Sequence, residues 1–400
     1  MNILFLTLVE INSLEDRGIY QDLLRKFRDE GNQVTVVTPV ERRKKIKTNL
    51  INNDGLRILK VKTFNIQKTH LIEKGFGTLA IEYQYLRAIK KYLSTVKFDL
   101  VLYSTPPITL VSVIDFVKKR DNAYTYLLLK DIFPQNAVDM KMMKSGSLFH
   151  RYFRTKEKKL YHLSDQIGCM SPANVAYLLA HNPQLNTKKV EVNPNTITPL
   201  FIHYSDQEKK EIREKYYLPL DRSILVYGGN LGKPQGLDFL LETIAKCKHD
   251  NVYFLIIGDG IEFKRIRNWF VLNRPSNAML MPHLAKKDYD KLIASCDIGL
   301  IFLHPDFTIP NFPSRLLSYL EMSMPIIAAT DTNTDLGTII EENKCGIKVN
   351  SGDIDTMLCA INKIVDGDII KYKEACQKLL VKEFLTNRSY QLILEKVKHV

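Results

Sequence analysis

The residues best placed to do chemistry lie in three turns of the second half of the chain. The first is Val226-Tyr-Gly-Gly-Asn-Leu-Gly-Lys-Pro-Gln-Gly236. Gly228, Gly229 and Gly232 would let the backbone approach a phosphate closely, and Lys233 adds a charge. The segment matches neither GxGxxG nor GxxxxGK[ST], which disfavours a dinucleotide enzyme and a P-loop ATPase; a plain tight turn is the alternative. The second turn, Gly258-Asp259-Gly260, ends an apolar strand and puts Glu262 just inside the next helix, which Asp259 could equally cap. The third, Pro310-Asn311-Phe312-Pro313-Ser314-Arg315, runs into a helix. Ser314 suits the N-cap there, and Arg315 falls in the first turn, where its charge opposes the helix dipole. That placement makes sense if an anion occupies the same end. Three anion-suited turns on one sheet are more specific than any one of them.

Positioning such turns takes strands that lead directly into helices. Asn2–Thr7 reads as a strand, and Ile19, Leu23, Leu24 and Phe27 recur at helical spacing until Gly31 stops them. Val34–Val37 reads as a second strand, and apolar runs follow at Leu100–Tyr103, Tyr124–Leu129 and Gln166–Met170. In the second half, strands are expected at Ile224–Tyr227, Tyr253–Ile257, Met279–Met281, Ile298–Leu303 and Ile326–Ala329. They alternate with helices beginning near Gly236, Ile261, Lys287, Arg315 and Asp335. Strict alternation implies parallel sheets covered on both faces, with ligands beyond the carboxyl ends of the strands. The connector Glu191–Leu200 carries two prolines and two asparagines and is the expected hinge. The fold class is therefore α/β, two doubly wound domains in series, 1–197 and 198–378.

Composition agrees with that reading. The chain has 400 residues, 45% hydrophobic and 25% charged, which fits two soluble domains. No apolar run approaches the roughly 18 residues of a membrane span. Met1–Val9 lacks a basic leader and a cleavage site, so it is expected to be a strand and not a signal peptide. The six cysteines include no CxxC pair, which argues against a disulfide framework or a zinc site and suggests a cytoplasmic setting. The net charge of +13 lies wholly in residues 1–200, with 31 Lys and Arg against 18 Asp and Glu, whereas residues 201–400 hold 26 of each. A half so charged suggests an anionic partner. Its clusters are Arg42–Lys47, Lys118–Arg120 and Lys141–Lys159, the last interleaved with Phe149, Tyr152, Phe153 and Tyr161. Basic residues among aromatics suit an anionic membrane surface; a solvated helix face is the alternative.

The second half resembles the donor domain of GT-B glycosyltransferases of the family 4 type. The resemblance rests on GGNLGKPQGLDFLLE (228–242), IIGDG (256–260), MPHL (281–284), SCDIGLIFL (295–303) and NFPSRLLSYLEMSMPIIAA (311–329). The first half adds residues 4–39, YSTPP (103–107), LLLKDIFPQNAVDM (127–140) and EVNPNTITP (191–199). Coverage is close to the whole chain. The chain is similar to the capsule and O-antigen branch that includes N-acetyl-L-fucosaminyltransferases. The resemblance implies two Rossmann-like domains facing each other across a cleft, with 379–400 as a C-terminal helix crossing back to the first domain. It implies a nucleotide-sugar donor, with UDP as the nucleotide. Gly229, Asn230, Lys233 and Gln235 would line the diphosphate, with charge from Lys233 and Arg315. Gly258, Asp259, Gly260, His283 and Asn311 belong to the same motifs, with the nucleobase near Pro282–Leu284 and the ribose near Glu262 or Ser318. The chain departs from the family at Asn230 and Gln235, where an Arg and a Lys are usual. It also has Ser318 in place of a Glu, although Glu321 lies one turn on. These changes leave retention or inversion open.

Breaking a glycosyl–phosphate bond requires stabilising charge on the leaving diphosphate, which Lys, Arg and backbone donors can do in place of a metal. Lys130-Asp131 is the nearest approach to a DxD pair, so neither metal nor other cofactor is expected. An inverting reaction needs a base for the acceptor hydroxyl; Asp131 is the candidate, a turn aspartate the alternative. Arg17, Gly18, Ser104, Thr105, Gln135 and Asn136 are the expected acceptor residues, although Arg17 could instead pair with Glu15 or Asp16. A polyprenyl-diphosphate-linked saccharide is the expected acceptor, at the inner face of the cell membrane. Three rivals stand beside this reading. One is a nucleotide-sugar epimerase of the same fold, and another is a catalytically dead scaffold. The third is a nucleic-acid-binding protein, suggested by a pI near 9.2 but lacking a helix-turn-helix, zinc or RNP motif.

Overall fold

The computed structural model describes residues 1–53, 55–66, 71–202 and 204–398, without the side chains of residues 71, 72 and 74–76. Two compact units divide the chain, Met1–Ile197 with Thr386–Val400, and Thr198–Leu385. Residues 379–385 therefore stay with the second unit, and only the helix Thr386–Lys398 joins the first.

The first unit holds eight strands: β1 (Asn2–Leu6), β2 (Gln33–Glu41), β3 (Asn49–Asn53), β4 (Leu56–Thr63), β5 (Leu100–Ser104), β6 (Tyr124–Leu129), β7 (Gln166–Cys169) and β8 (Val190–Val192). Their order is β3-β4-β2-β1-β5-β6-β7-β8, parallel except for the β3–β4 pair. The second unit holds β9 (Ser223–Asn230), β10 (Val252–Asp259), β11 (Ala278–Pro282), β12 (Ile298–Phe302), β13 (Ile326–Thr330) and β14 (Gly346–Asn350). They run β11-β10-β9-β12-β13-β14, all parallel. In both sheets the first strand is central and the winding reverses beside it, between β1 and β5 and between β9 and β12. Ligands of such sheets bind at the carboxyl ends next to that reversal.

Apolar runs become strands here because helices cover both faces of each sheet. Ile3, Leu4, Phe5 and Leu6 of β1 are wholly buried, as are Ile298, Leu300, Ile301 and Phe302 of β12. Burying each such side chain contributes roughly 1.5–3 kcal/mol. Five of the second-unit helices begin at Leu237, Phe263, Lys286, Arg315 and Leu336, each within two residues of the expected start, whereas Asp206–Lys215, Ile354–Val365 and Ile370–Glu383 were not expected. Strands β3, β4, β8 and β14 were not expected. Two of them, β3 and β14, are polar or lysine-bearing edge strands, β8 has three residues, and β4 carries lysines among its apolar positions. Among the described residues, no helix is long and apolar enough to cross a membrane.

Candidate functional site

In the second unit the ends of β9 and β10 lie side by side, Gly229 opposite Gly258 and Asn230 opposite Asp259. A Cβ on Gly258 would collide with the carbonyl oxygen of Gly229, and Gly229 itself has φ 122°, a conformation other residues rarely adopt. The two turns are also tied together. Leu231 N donates to the Asp259 carbonyl at 2.9 Å, and Glu262 N donates to the Leu231 carbonyl at 3.0 Å. A 3₁₀ turn, Lys233–Gln235, then carries Gln235 inward, where it is buried, and leaves Lys233 exposed.

Arg315 meets this turn from the other side. It is the first residue of the helix Arg315–Glu321 and is only 9% exposed. Its guanidinium lies 4.2 Å from the centre of the Tyr227 ring, and its Nη2 donates to Gln235 Oε1. Its Nη1 is buried with no hydrogen-bond partner. Among the described residues no carboxylate pairs with it. A buried, unpaired charge costs several kcal/mol, so the fold holds an uncompensated cation at the carboxyl end of β9. Tyr319, one helical turn on, fixes the strand beneath: its hydroxyl accepts from Gly228 N at 3.1 Å and faces the Val226 and Leu300 carbonyls at 3.1 and 3.2 Å. Burial pushes the Tyr227 phenol up, and the neighbouring Arg315 charge pulls part of that back.

Other expected donor residues divide. Gly229, Asn230, Lys233 and Gln235 gather with Arg315 around the β9 turn. Asp259 turns onto the Gly260 N–H at 2.8 Å. The helix Phe263–Asn273 takes Glu262, not Asp259, as its N-cap residue, and that side chain caps nothing. Glu262 instead pairs with Arg265 at 2.6 Å, which also holds Asp238 at 2.6 Å. Ser314 does occupy the N-cap position but has helical torsions, φ −65° and ψ −15°, and its hydroxyl caps nothing. The helix-capping role expected of it is therefore corrected. His283 is exposed just beyond β11, and Ser318 is half-buried on the Arg315 helix. The Asn311 carbonyl accepts from Thr334 Oγ1 at 2.8 Å. Glu321 is buried and its Oε1 accepts from Leu200 N at 2.9 Å, a bond that steadies the chain entering this unit.

In the first unit, β6 leads directly into Lys130 and Asp131. Thr105, just past β5, is 1% exposed, and its Oγ1 accepts from Lys130 N at 3.1 Å while donating to the Asp131 carbonyl at 2.9 Å. Asn136 Nδ2 donates to Asp131 Oδ2 at 2.7 Å, and Asn136 Oδ1 is buried without a partner. Burial raises the Asp131 carboxyl to about 6, against the pull of the Ile132 N–H and Asn136. Burial likewise lowers the Lys130 ammonium to about 7; its Nζ reaches the Asn193 carbonyl at 3.3 Å. The structure thus brings Asp131, Thr105 and Asn136 together, and adds Lys130, which the sequence singled out only as half of a metal-like pair.

The remaining acceptor candidates make other contacts. Ser104 is 2% exposed and bonds the Tyr20 hydroxyl, while Gln135 Nε2 donates to Asp139 within its own helix at 2.7 Å. With their side chains spent on protein partners, Ser104 and Thr105 position the loop and do not face a ligand. Gly18 precedes the helix Ile19–Asp29, and Arg17 is half-buried in the loop before it. Tyr227 and Tyr319 were missed, because each reads as an ordinary core aromatic. Among the described residues, no three His, Cys, Asp or Glu side chains form a metal-binding group.

Residues 208–379, which lie within the second unit, match the family model described as Glycosyl transferases group 1. The "Probable glycosyltransferase WbjE" of Pseudomonas aeruginosa is 21% identical over 314 residues, covering 76% of this chain and 74% of that protein. Two solved structures align over all of this chain. Sucrose-phosphate synthase of Thermosynechococcus elongatus has a TM-score of 0.77 at 15% identity, with 98% of its chain covered. HepE of Anabaena, in complex with UDP and glucose, has a TM-score of 0.73 at 16% identity, with 100% covered. The α/β fold with two parallel-sheet domains is thus that of GT-B glycosyltransferase structures.

Proposed function

We propose that this chain is a glycosyltransferase of bacterial polysaccharide biosynthesis. In this reading it moves a sugar from a UDP-sugar to a lipid-diphosphate-linked saccharide of capsule or O-antigen, at the inner face of the cell membrane. The sugar fits an N-acetylated deoxyhexosamine such as N-acetyl-L-fucosamine, on the family resemblance alone. The observation that carries the reading is Arg315, a buried guanidinium with one nitrogen unpartnered and, among the described residues, no carboxylate beside it. A diphosphate at the β9 turn supplies the missing counter-charge. Lys233, exposed on the same turn, adds a second cation.

The chemistry follows from charge. As the bond between the anomeric carbon and the diphosphate oxygen breaks, negative charge grows on the departing UDP. In this reading Arg315, Lys233 and the N–H groups around Gly229 and Asn230 meet it in the role a metal ion would otherwise fill. In an inverting transfer Asp131 takes the proton of the acceptor hydroxyl as that oxygen bonds the anomeric carbon; its raised carboxyl, held by Asn136 and the Thr105-braced loop, suits a base. The HepE complex with UDP and glucose supports the choice of nucleotide.

Thermal shifts against UDP-, GDP- and dTDP-sugars, measured in EDTA, test this reading. A ligand at 100 times its dissociation constant stabilises the native state by about 2.7 kcal/mol. UDP-sugars are expected to raise the melting temperature most. No shift with any of them, or a shift that appears only with Mg²⁺, contradicts it. Turnover of the bound sugar nucleotide without acceptor would instead mark an epimerase.

A further inference from the structure

The charge of the first unit is distributed differently from what its sequence suggests. Arg42 pairs with Glu73 at 2.6 Å, Arg43 with Glu41, and Lys44 with Glu10 at 2.5 Å. Lys118 pairs with Asp165 at 2.7 Å, Lys119 with Asp115 at 2.8 Å, and Arg120 with Asp121 at 2.7 Å. Lys156 pairs with Glu82 at 2.6 Å. These cations are already met by carboxylates, which leaves Arg42–Lys44 and Lys156 less available to an anionic surface than the sequence suggests.

The helix Leu148–Leu163 is the exception. Its inner face buries Glu157, Leu160 and Tyr161, and Phe153 packs edge-on against Phe133 at 5.0 Å. At 3.6 residues per turn the opposite face carries Leu148, Arg151, Tyr152, Lys159 and His162, with Lys158 beside them. Among the described residues, Arg151, Lys158 and Lys159 form no ion pair. Residues 140–163 contain a single acid, Glu157, which faces inward at 2% exposure and is held by Arg154 and Tyr161. At the amino end, Leu148 is 84% exposed, Phe149 69% and, in the preceding loop, Met142 60%. Large apolar side chains gathered and exposed in this way mark an interaction surface. Beside the lysine end opens a cavity of about 520 Å³ lined by Lys158, Lys159, His162, Ser112 and Gln184; Asp115, which also lines it, is held by Lys119.

We propose that this helix face, with the loop before it, docks on the surface of an anionic phospholipid bilayer. Leu148, Phe149 and Met142 enter the interfacial layer, while Arg151, Lys158 and Lys159 lie against lipid phosphates. The cavity takes a headgroup phosphate. Two observations choose lipid over nucleic acid. The cations lie on a helix face that carries no acid of its own, and the exposed anchors beside them are aliphatic as well as aromatic, which a phosphodiester backbone would leave in water. The proposed lipid-linked acceptor gives the docking its purpose, and the surface itself stands on the geometry of the first unit.

The full chain is to be sedimented with phosphatidylcholine vesicles, with and without phosphatidylglycerol, at low and high salt. Binding is expected only with phosphatidylglycerol, and salt should weaken it, since exposed charges are screened over about 8 Å at physiological ionic strength. The double variants Leu148→Ser/Phe149→Ser and Lys158→Gln/Lys159→Gln should each lower partitioning on the order of tenfold. The paired-residue control Arg42→Gln/Arg43→Gln should bind as wild type. UDP-induced thermal shifts, read in parallel, show that each variant is folded. If UDP shifts fail while vesicle binding holds, the donor reading falls and the surface stands. The surface is overturned if wild type ignores phosphatidylglycerol vesicles, or if either double variant sediments like wild type. It is also overturned if the lysines serve oligonucleotide binding to which Leu148 and Phe149 are indifferent.

Discussion

Asp131 is a carboxyl whose neighbours set when it can act. Burial raises it to about 6, and the Asn136 amide and the Ile132 N–H, which favour the charged form, hold it from rising further. As the base of an inverting transfer it must be ionised, so kcat/KM should fall as the pH drops through about 6. Asn136→Ala removes a donor to the carboxylate and should move that acidic limb to higher pH; a profile that does not move would remove Asp131 from the role. Lys130 gives a prediction about stability. Its ammonium is lowered from the usual 10.5 to about 7 by burial. Between those values the unfolded chain binds the proton and the folded one does not, so this group makes stability rise with pH across the window. Lys130→Met should therefore raise the melting temperature near neutral pH and flatten that rise. An unchanged melting temperature would mean that the ammonium is not desolvated. The unfavourable position of Arg315 was legible in the sequence, because residue type and helix position suffice to reveal it. Its stacking on Tyr227 was not, since a tyrosine inside an apolar strand carries no mark of its neighbour across the sheet.

At the scale of elements, the chain ends in a helix that belongs to the sheet where the chain begins. Tyr390 of Thr386–Lys398 is 5% exposed and meets Phe27 edge-on at 4.8 Å, in the same core as Leu23, Leu24 and Ile393. Tyr390→Ala should destabilise the first unit by about 3 kcal/mol or more, the usual cost of emptying a buried aromatic site. Denaturant unfolding measures it, and a loss under 1 kcal/mol would contradict the packing. Periodicity made the central strands and the second-unit helix starts readable, because a strand buried on both faces is continuously apolar. It could not find β3, whose sequence NLINN is largely polar and whose place at the sheet edge depends on β4. Nor could it place the last helix, whose apolar stripe does not say which sheet it covers.

Over the whole molecule, one fold is used twice, and the two copies differ in what they hold at the carboxyl ends of their strands. The second unit keeps an unpaired cation beside a glycine turn, whereas the first keeps a braced carboxyl. The net charge of +13 was legible as a total and as a property of the first half. Its meaning was not, because ion pairs such as Lys118 with Asp165 and Lys156 with Glu82 join residues far apart in sequence. The central claim is that Arg315 is buried unpaired because a diphosphate completes it. Calorimetric titration of UDP into the wild-type chain and into Arg315→Ala tests this most directly. Hydrogen bonds to charged groups are worth about 1.5–3 kcal/mol, so the variant should bind UDP roughly ten- to a hundredfold more weakly. Equal affinity in the two proteins would contradict the account.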